Sequence, residues 1–397
     1  MKKSFFLLFV LFFIFCPTIK ETLNDNIVYA EEQVDTQSSI ETEVDTQLDK
    51  IDFSEFDGLL DNLTKAQIDI FGGKSFFQKI KDLLSGNFDS GKGMWKAIIF
   101  CFFENFISLM PMMSLIVAIS LIGSMIQGIK PSSSSKSMGN IIHFVTYGIV
   151  VVLILTMITN IIRLTSSTIQ SLNEQMDVIF PLLLTMMTAI GGNVSVSVYQ
   201  PSMSLLTSVI LKLFTFLLLP IFIFSVVFGI LSNLSNNIKL EKITSFFQST
   251  YKWIIGLVFT IFTAFISIQG IAAGSIDGIS IRTAKYAIKS YVPIMGSYLS
   301  DGMGIILASS NLIKNTVGAA GLFLLLATII SPLIEIILFM LALKLIAGII
   351  EPLGNKQIAN FISSISKSMV LLIALLIGIS FVYFITIGLI MCTANVI

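Results

Sequence analysis

Six apolar stretches constrain the fold of this 397-residue chain more than any other feature of its sequence. Each contains 19 to 24 residues, and they occupy positions 106–126, 141–162, 213–231, 253–273, 317–340 and 369–391. About 20 apolar residues in a helix cross the hydrocarbon core of a bilayer, and a helix satisfies its own backbone hydrogen bonds there. The sequence therefore predicts an all-α, polytopic α-helical membrane protein, with about six to seven transmembrane helices and an N-terminal extracytoplasmic helical segment.

The composition agrees with this fold class. Hydrophobic residues make up 55% of the chain and charged residues 12%, whereas soluble domains carry about 25% charged residues. A free soluble enzyme and a nucleic-acid binder with a basic face are both excluded. The net charge of zero conceals a division, because residues 31–96 carry a net −7 and residues 97–397 a net +6. Two unlike parts are therefore joined near residue 96.

The N-terminus has the pattern of a secretory signal peptide over residues 1–30. Lys2 and Lys3 precede a 12-residue apolar region, which is too short to cross a bilayer, and Val28-Tyr-Ala30 resembles a cleavage site. An uncleaved membrane anchor is the alternative. Cleavage after Ala30 would place the start of the mature chain outside the cytoplasm.

The acidic segment 31–96 has two predicted parts. Its start repeats Val-Asp-Thr-Gln at 34–37 and 44–47 and has the composition of a disordered tract. Apolar residues then recur at helical spacing, and Ser75 and Gln78 have the spacing of a capping box. Two amphipathic helices are expected after residue 52. Because they are too small to form a core, we expect them to lie on the membrane surface or to dock on a partner.

A weak seventh apolar stretch, 178–192, contains Pro181 and ends in two glycines. We interpret it as a re-entrant segment or a short tilted span. Lysines in the loops then orient the membrane domain 97–397 with its N-terminus outside, because cytoplasmic loops are enriched in Lys and Arg. The lysine-bearing loops predicted to be inside contain Lys130 and Lys136, Lys239 to Lys252, and Lys356 to Lys367. The C-terminus is predicted outside, and so is a basic loop at 274–316.

Four ionisable residues lie in or beside the apolar stretches, and such residues are candidates for function. They are Glu104, Lys212, Glu335 and Lys344. The alternative for three of them is a side chain that reaches the membrane interface, and for the deeper Glu335 it is a structural hydrogen bond to another helix. Pro332, three residues before Glu335, predicts a kink and a backbone carbonyl without its helical partner.

Small residues recur at every fourth position in Gly270, Gly274 and Gly278. This spacing lets helices approach closely, either within the chain or between copies in a homo-oligomer. Catalytic chemistry has little support, because His143 is the only histidine and has no neighbouring Cys or acid. We therefore expect no enzyme activity, no metal and no cofactor.

The outer segment carries a basic helical face formed by Arg282, Lys285 and Lys289 at positions i, i+3 and i+7. Asp301 and Lys314 follow in a second helical stretch. We predict that these five residues dock a partner, and the alternative is a solvated face or a contact with lipid headgroups. Neither alternative is decided by the spacing alone.

Three motifs in this segment resemble the stage III sporulation protein AE family. They are Ile281-Arg-Thr-Ala-Lys285, Pro293-Ile-Met-Gly296 and Leu312-Ile-Lys-Asn-Thr-Val-Gly318. The resemblance extends to the plan of the chain, with an export signal, an acidic lead-in and a multi-span body.

The resemblance implies a role in endospore formation, in a multi-pass protein of the mother-cell membrane around the forespore. It implies a permease-like or platform component of a secretion-like channel complex. The implied partners are other stage III sporulation membrane and ring proteins and, indirectly, a cytoplasmic ATPase. It defines no catalytic residues. A permease for a small solute with a site around Glu335 and an assembly scaffold without a conduit remain alternatives.

Overall fold

A computed structural model describes residues 34–49, 51, 53–85, 90–128, 136–234, 240–291, 295–353 and 356–393. These residues form helices and connecting turns, and no strand occurs among them. The predicted signal peptide 1–30 lies outside the described residues. Among the described residues, four short helices precede residue 90, and we call them together the lead-in: α1 (Val34–Leu48), α2 (Ser54–Asp61), α3 (Lys65–Phe71) and α4 (Phe76–Leu84).

The membrane body follows the lead-in and consists of long helices. They are α5 (Ser90–Gly128), α6 (Lys136–Ala189), α7 (Asn193–Leu213), α8 (Leu219–Leu234), α9 (Glu241–Tyr291), α10 (Gly296–Ile350) and α11 (Lys356–Cys392). A π-helical turn, Phe214–Leu218, joins α7 to α8 in one continuous rod. Counting that rod once, six helical segments of the described chain are long and apolar enough to cross a membrane. The prediction of an all-α, polytopic membrane protein is confirmed.

The weak apolar stretch 178–192 does not form a separate re-entrant element. Its first part continues α6, which runs through Pro181 to Ala189, and the chain turns at Gly191 with a φ of 88°. The polar residues before it keep the helix intact, because side chains four residues apart bond to each other. Gln170 donates to Glu174 at 3.0 Å and Asn173 donates to Asp177 at 3.0 Å.

The segment predicted as an outer loop with two helical stretches, 274–316, forms a helical hairpin, which we call the outer hairpin after its predicted side of the membrane. It consists of the end of α9 and the start of α10, and only residues 292–295 separate the two helices. Pro293 is the one strong helix breaker of the segment, so helical structure extends from both spans up to its neighbourhood. With 51 and 55 residues, α9 and α10 would each be about 80 Å long, far more than the hydrocarbon thickness of about 30 Å.

The centre of the body is formed by α10 and α11, which pack along each other and against α6. Hydroxyl groups on neighbouring helices tie the periphery to this centre. Tyr251 on α9 donates to the Leu371 carbonyl on α11 at 2.8 Å, and the Tyr251 side chain is fully buried. Ser366 on α11 donates to the Met340 carbonyl on α10 at 2.9 Å. This burial explains why most of α11 is apolar.

The lead-in docks on the body of its own chain. Helix α1 packs on α10, α2 on α6, α3 on both α5 and α10, and α4 on α10. A phenylalanine cluster holds the short helices together, with Phe56 and Phe76 stacked at 4.3 Å between ring centroids. The amphipathic helices therefore dock on the body of their own chain, and a position at the membrane surface stays a prediction.

Two details of the lead-in bear on its prediction. The capping box of Ser75 and Gln78 is present at the start of α4, as predicted. The tract predicted as disordered is instead the helix α1, because Val44 and Leu48 form an apolar face that is buried on the body. Gln47 adds a hydrogen bond, accepting from the Ser310 hydroxyl of α10 at 2.9 Å. Tertiary packing thus stabilises a helix that its composition disfavours.

Candidate functional site

The four ionisable candidates of the apolar stretches do not form a common site. Glu104, Lys212 and Lys344 have exposed side chains, and Glu335 is half-buried. None of the four forms an ion pair or a hydrogen bond with a residue that the structure describes. Glu335 is therefore an ionisable group in an apolar helix without a polar partner in the described chain, and it remains a candidate. Gly270, Gly274 and Gly278 belong to α9, and the packing predicted for them lies outside what the structure describes.

The outer hairpin presents a row of basic residues on α9, which we call the basic ridge: Arg282, Lys285 and Lys289. Arg282 and Lys289 are exposed, and Lys285 is half-buried against α10, with its Nζ 3.7 Å from where a Cβ on Gly304 would stand. Asp301 is exposed on α10. Within the described ranges, these charges form no ion pair. The ridge is available to a partner outside this chain.

Lys314, which the sequence groups with the docking residues, is corrected to a buried structural residue. Its side chain is 0% exposed, and Nζ donates to the Thr393 carbonyl at 2.6 Å. That carbonyl lies just beyond the last residue of α11, where the negative end of the helix dipole favours a cation. We call this contact the lysine clamp. It fastens the end of α11 to α10, so Lys314 is not accessible to a docking partner.

Polar and small residues surround the lysine clamp. Tyr199 on α7 also hydrogen-bonds Thr393. The Oδ1 atoms of Asn311 and Asn315 are buried and accept no hydrogen bond from the described residues. At Gly318, an added Cβ would stand 2.6 Å from Met391 Cγ, so a larger residue would have to displace the Met391 side chain of α11. The motif Leu312-Ile-Lys-Asn-Thr-Val-Gly318 thus packs one helix against another.

A second buried polar group lies at Pro332, and the sequence pattern did not indicate it. It consists of Gln67, Gln175 and Thr328, and we call it the glutamine node. Gln67 Nε2 on α3 donates to the Thr328 carbonyl at 2.8 Å, and Gln175 Nε2 on α6 donates to Thr328 Oγ1 at 2.6 Å. All three side chains are buried. A signal for Gln67 was present in Thr64-x-x-Gln67, which has the capping-box spacing of Ser75 and Gln78.

Lys79 on α4 is the lead-in's buried cation. Its Nζ donates to the Phe71 carbonyl at 3.0 Å and lies 4.8 Å from the ring centroid of Phe323 on α10. Burial lowers the pKa of Lys79, the nearby Asp82 carboxylate partly opposes this, and Lys74 adds to the lowering. The ammonium group therefore bridges the end of α3 and an aromatic face of the body.

The described residues contain no group of three or more His, Cys, Asp or Glu side chains that could hold a metal ion. The geometry of the described residues instead provides polar contacts between helices and the exposed basic ridge. Such an arrangement suits assembly and conformational coupling.

Comparison with known proteins agrees with the resemblance of the three motifs. The family described as Stage III sporulation protein AE matches residues 74–394. The protein named Stage III sporulation protein AE from Bacillus subtilis (strain 168) is 24% identical over 378 residues, which cover 94% of this chain and 92% of that protein. No solved structure matches the chain. Because the family match spans most of the sequence, the chain belongs to the stage III sporulation protein AE family.

Proposed function

We propose that this chain, whose family gives it a role in sporulation, is a non-enzymatic membrane component of a secretion-like channel complex between mother cell and forespore. The observation that carries the proposal is the basic ridge. Arg282 and Lys289 are exposed near the tip of a hairpin built from two helices much longer than a bilayer is thick. A projecting charged surface suits attachment to other proteins.

The orientation that we propose follows from the order of the helices. If successive spans cross the membrane in alternate directions, the connections after α5, α8 and α10 are at one side of the membrane and the connection after α9 is at the other. Lysines flank or occupy the first three of these connections, which favours the cytoplasm for their side. The lead-in and the basic ridge then face the space between the mother-cell membrane and the forespore.

The partners proposed for the ridge are other stage III sporulation membrane and ring proteins, with a cytoplasmic ATPase joined indirectly. The lipid bilayer surrounds the body, and a homo-oligomer is compatible with the exposed apolar faces. Reversal of the ridge, Arg282→Glu with Lys285→Glu and Lys289→Glu, tests the docking role. We expect the reversed chain to remain in the membrane at normal levels while tagged chain from sporulating cells loses its co-purified partners.

The matched control keeps the charge and changes the side chains, with Arg282→Lys, Lys285→Arg and Lys289→Arg. This variant should retain the partners, because exposed charge and not local packing is proposed to attract them. Recovery of the same partners by the reversed and the charge-retaining chains would contradict a docking role for the ridge.

A permease for a small solute is the second candidate, and Glu335 favours it. This carboxyl is half-buried three residues after Pro332 and has no polar partner among the described residues. Glu335→Gln removes the charge and keeps the shape, with Glu104→Gln at an exposed position as its control. A permease predicts that only Glu335→Gln impairs sporulation while partner capture is unchanged. Normal sporulation in that variant would exclude the site and leave the channel platform or a scaffold without a conduit.

A further inference from the structure

The proline position of α10 has an unusual hydrogen-bond requirement. Pro332 has no N–H, so the Thr328 carbonyl four residues earlier lacks its helical donor. Thr328 is 0% exposed, and water cannot readily supply a replacement. A buried carbonyl without a donor destabilises the fold, so the structure must offer one from elsewhere.

Gln67 of the lead-in supplies that donor. Its Nε2 lies 2.8 Å from the Thr328 carbonyl. The other end of the same amide is fixed at the start of α3, where Oε1 accepts from the Thr64 N–H at 2.8 Å and from the Thr64 hydroxyl at 3.0 Å. One amide therefore caps α3 and completes the backbone bonding of α10. The two hydrogen bonds from Thr64 set the orientation of the Gln67 amide.

The body makes further contacts around Thr328 and with the lead-in. Gln175 of α6 donates to Thr328 Oγ1, which in turn donates to the Leu324 carbonyl at 2.9 Å. The Oε1 of Gln175 is buried and has no donor within the described chain. Phe323, on the same helix, receives the Lys79 ammonium. Two separate contacts thus recognise the lead-in along one stretch of α10.

Two other prolines within helices of the body lack such a contact. Pro111 and Pro181 also remove a helical N–H, and their counterpart carbonyls belong to Ile107 and Asp177. Among the hydrogen bonds of the described residues, neither carbonyl accepts from another helix. The contact at Pro332 is therefore a specific pairing that these two prolines do not share.

We infer that the proline site of α10 is a binding site for the lead-in helix α3, and that docking of α3 and the conformation of α10 at Pro332 form one coupled equilibrium. The lead-in acts as an intramolecular lock: when it is docked, the Thr328 carbonyl has its donor. When it leaves, the Thr328 carbonyl loses its donor and α10 favours a different geometry. A partner outside this chain that binds the lead-in would thereby change the conformation of α10 in the body. This inference does not depend on the basic ridge or on a channel.

A double-mutant cycle in the full-length chain in detergent tests the coupling, with hydrogen–deuterium exchange at 65–71 and 324–336 as the readout. Gln67→Leu should raise exchange in both segments by about tenfold or more, because it removes a buried donor. Gln78→Leu is the matched control, since Gln78 forms the same capping box on α4 but is exposed. It should raise exchange at the start of α4 only.

Pro332→Ala restores the missing N–H and makes the Gln67 donor unnecessary. In that background, Gln67→Leu should change exchange at 324–336 by less than about twofold. An undiminished effect there, or a Gln67→Leu chain that behaves like Gln78→Leu, would overturn the lock. If Gln67→Leu alone fails to accumulate in membranes, accumulation of the double variant becomes the readout: rescue supports the coupling, and equal loss of both variants contradicts it.

Discussion

The two arms of the outer hairpin carry the same kind of residue and use it in opposite ways. The end of α9 exposes Arg282 and Lys289, whereas the start of α10 encloses Lys314 with no exposed surface. Both arms carry motifs that resemble the same family. Their difference shows that a basic residue in such a motif has no fixed role, because burial decides whether it holds the protein together or remains available to a partner.

The surroundings of the two arms explain the difference. The start of α10 lies against α1 and α11, and the lysine clamp takes the carbonyl at the end of α11 as its acceptor. The basic ridge has no described acceptor of this kind. Loss of the Lys314 charge should therefore destabilise the fold, whereas loss of charge on the basic ridge should alter only the association with partners.

The largest effect is expected at the lysine clamp. Lys314→Ala leaves a cavity and an unpaired Thr393 carbonyl, which together should lower the free energy of unfolding by about 2–4 kcal/mol. Thermal unfolding of the purified chain in detergent measures this loss. Lys285→Ala is the control on the other arm and should change stability by less than about 0.5 kcal/mol. Equal losses for both variants would remove the distinction between the arms.

A smaller effect is expected where α10 and α11 pass each other. Gly318→Ala places a Cβ 2.6 Å from Met391 Cγ and should cost about 1–3 kcal/mol through overpacking. Gly348→Ala lies in the same helix with no neighbouring atom within 4 Å. It should stabilise the chain by about 0.5–1 kcal/mol, because alanine is the better helix former. Similar melting temperatures for the two variants would contradict the close approach at Gly318.

A third lysine, Lys79, is buried in the lead-in, and its contribution to the stability of the fold depends on pH. Burial lowers its folded pKa below the ordinary value of about 10.4 in the unfolded chain. The folded state therefore disfavours the charged form, and stability should rise as the pH increases from the folded pKa towards that value. Melting temperatures of wild type and Lys79→Met, compared from pH 7 to 10, should diverge in favour of wild type. Parallel curves would exclude a titration of Lys79.

The basic ridge should show the smallest effect on folding. Arg282→Ala together with Lys289→Ala should alter the free energy of unfolding by less than about 0.5 kcal/mol, since both side chains are exposed. Capture of partners from sporulating cells should fall in the same variant. A drop in stability comparable to that of Lys314→Ala would mean that the ridge belongs to the packed part of the hairpin.

Local patterns predicted the features that depend on nearby residues. The apolar stretches were sufficient to predict six spans, and the spacing of Ser75 and Gln78 was sufficient to predict the cap of α4. The spacing of the basic residues predicted helices on both sides of Pro293, and the structure extends these helices into the neighbouring spans. The prediction of disorder at the start of the acidic segment was wrong, because the body covers the apolar face of α1 and stabilises this helix.

The features that sequence patterns missed depend on residues far apart in the chain. Gln67 and Thr328 are separated by 261 positions, and Lys314 and Thr393 by 79. No periodicity in either region marks its partner. Pro332 did indicate that a carbonyl would lose its helical donor, but its position could not identify Gln67 as the replacement. The roles of Lys314 and Gln67 therefore become visible only in the packed structure.

The orientation of the outer hairpin is the central claim, because the proposed docking of partners requires the ridge to lie outside the cytoplasm. Labelling of single cysteines with a membrane-impermeant reagent in intact cells tests it most directly. Leu240→Cys and Met295→Cys, each in a chain without the three native cysteines, mark opposite ends of α9. Our account predicts a labelled residue at 295 and a protected one at 240. Labelling at 240 with protection at 295 would contradict it.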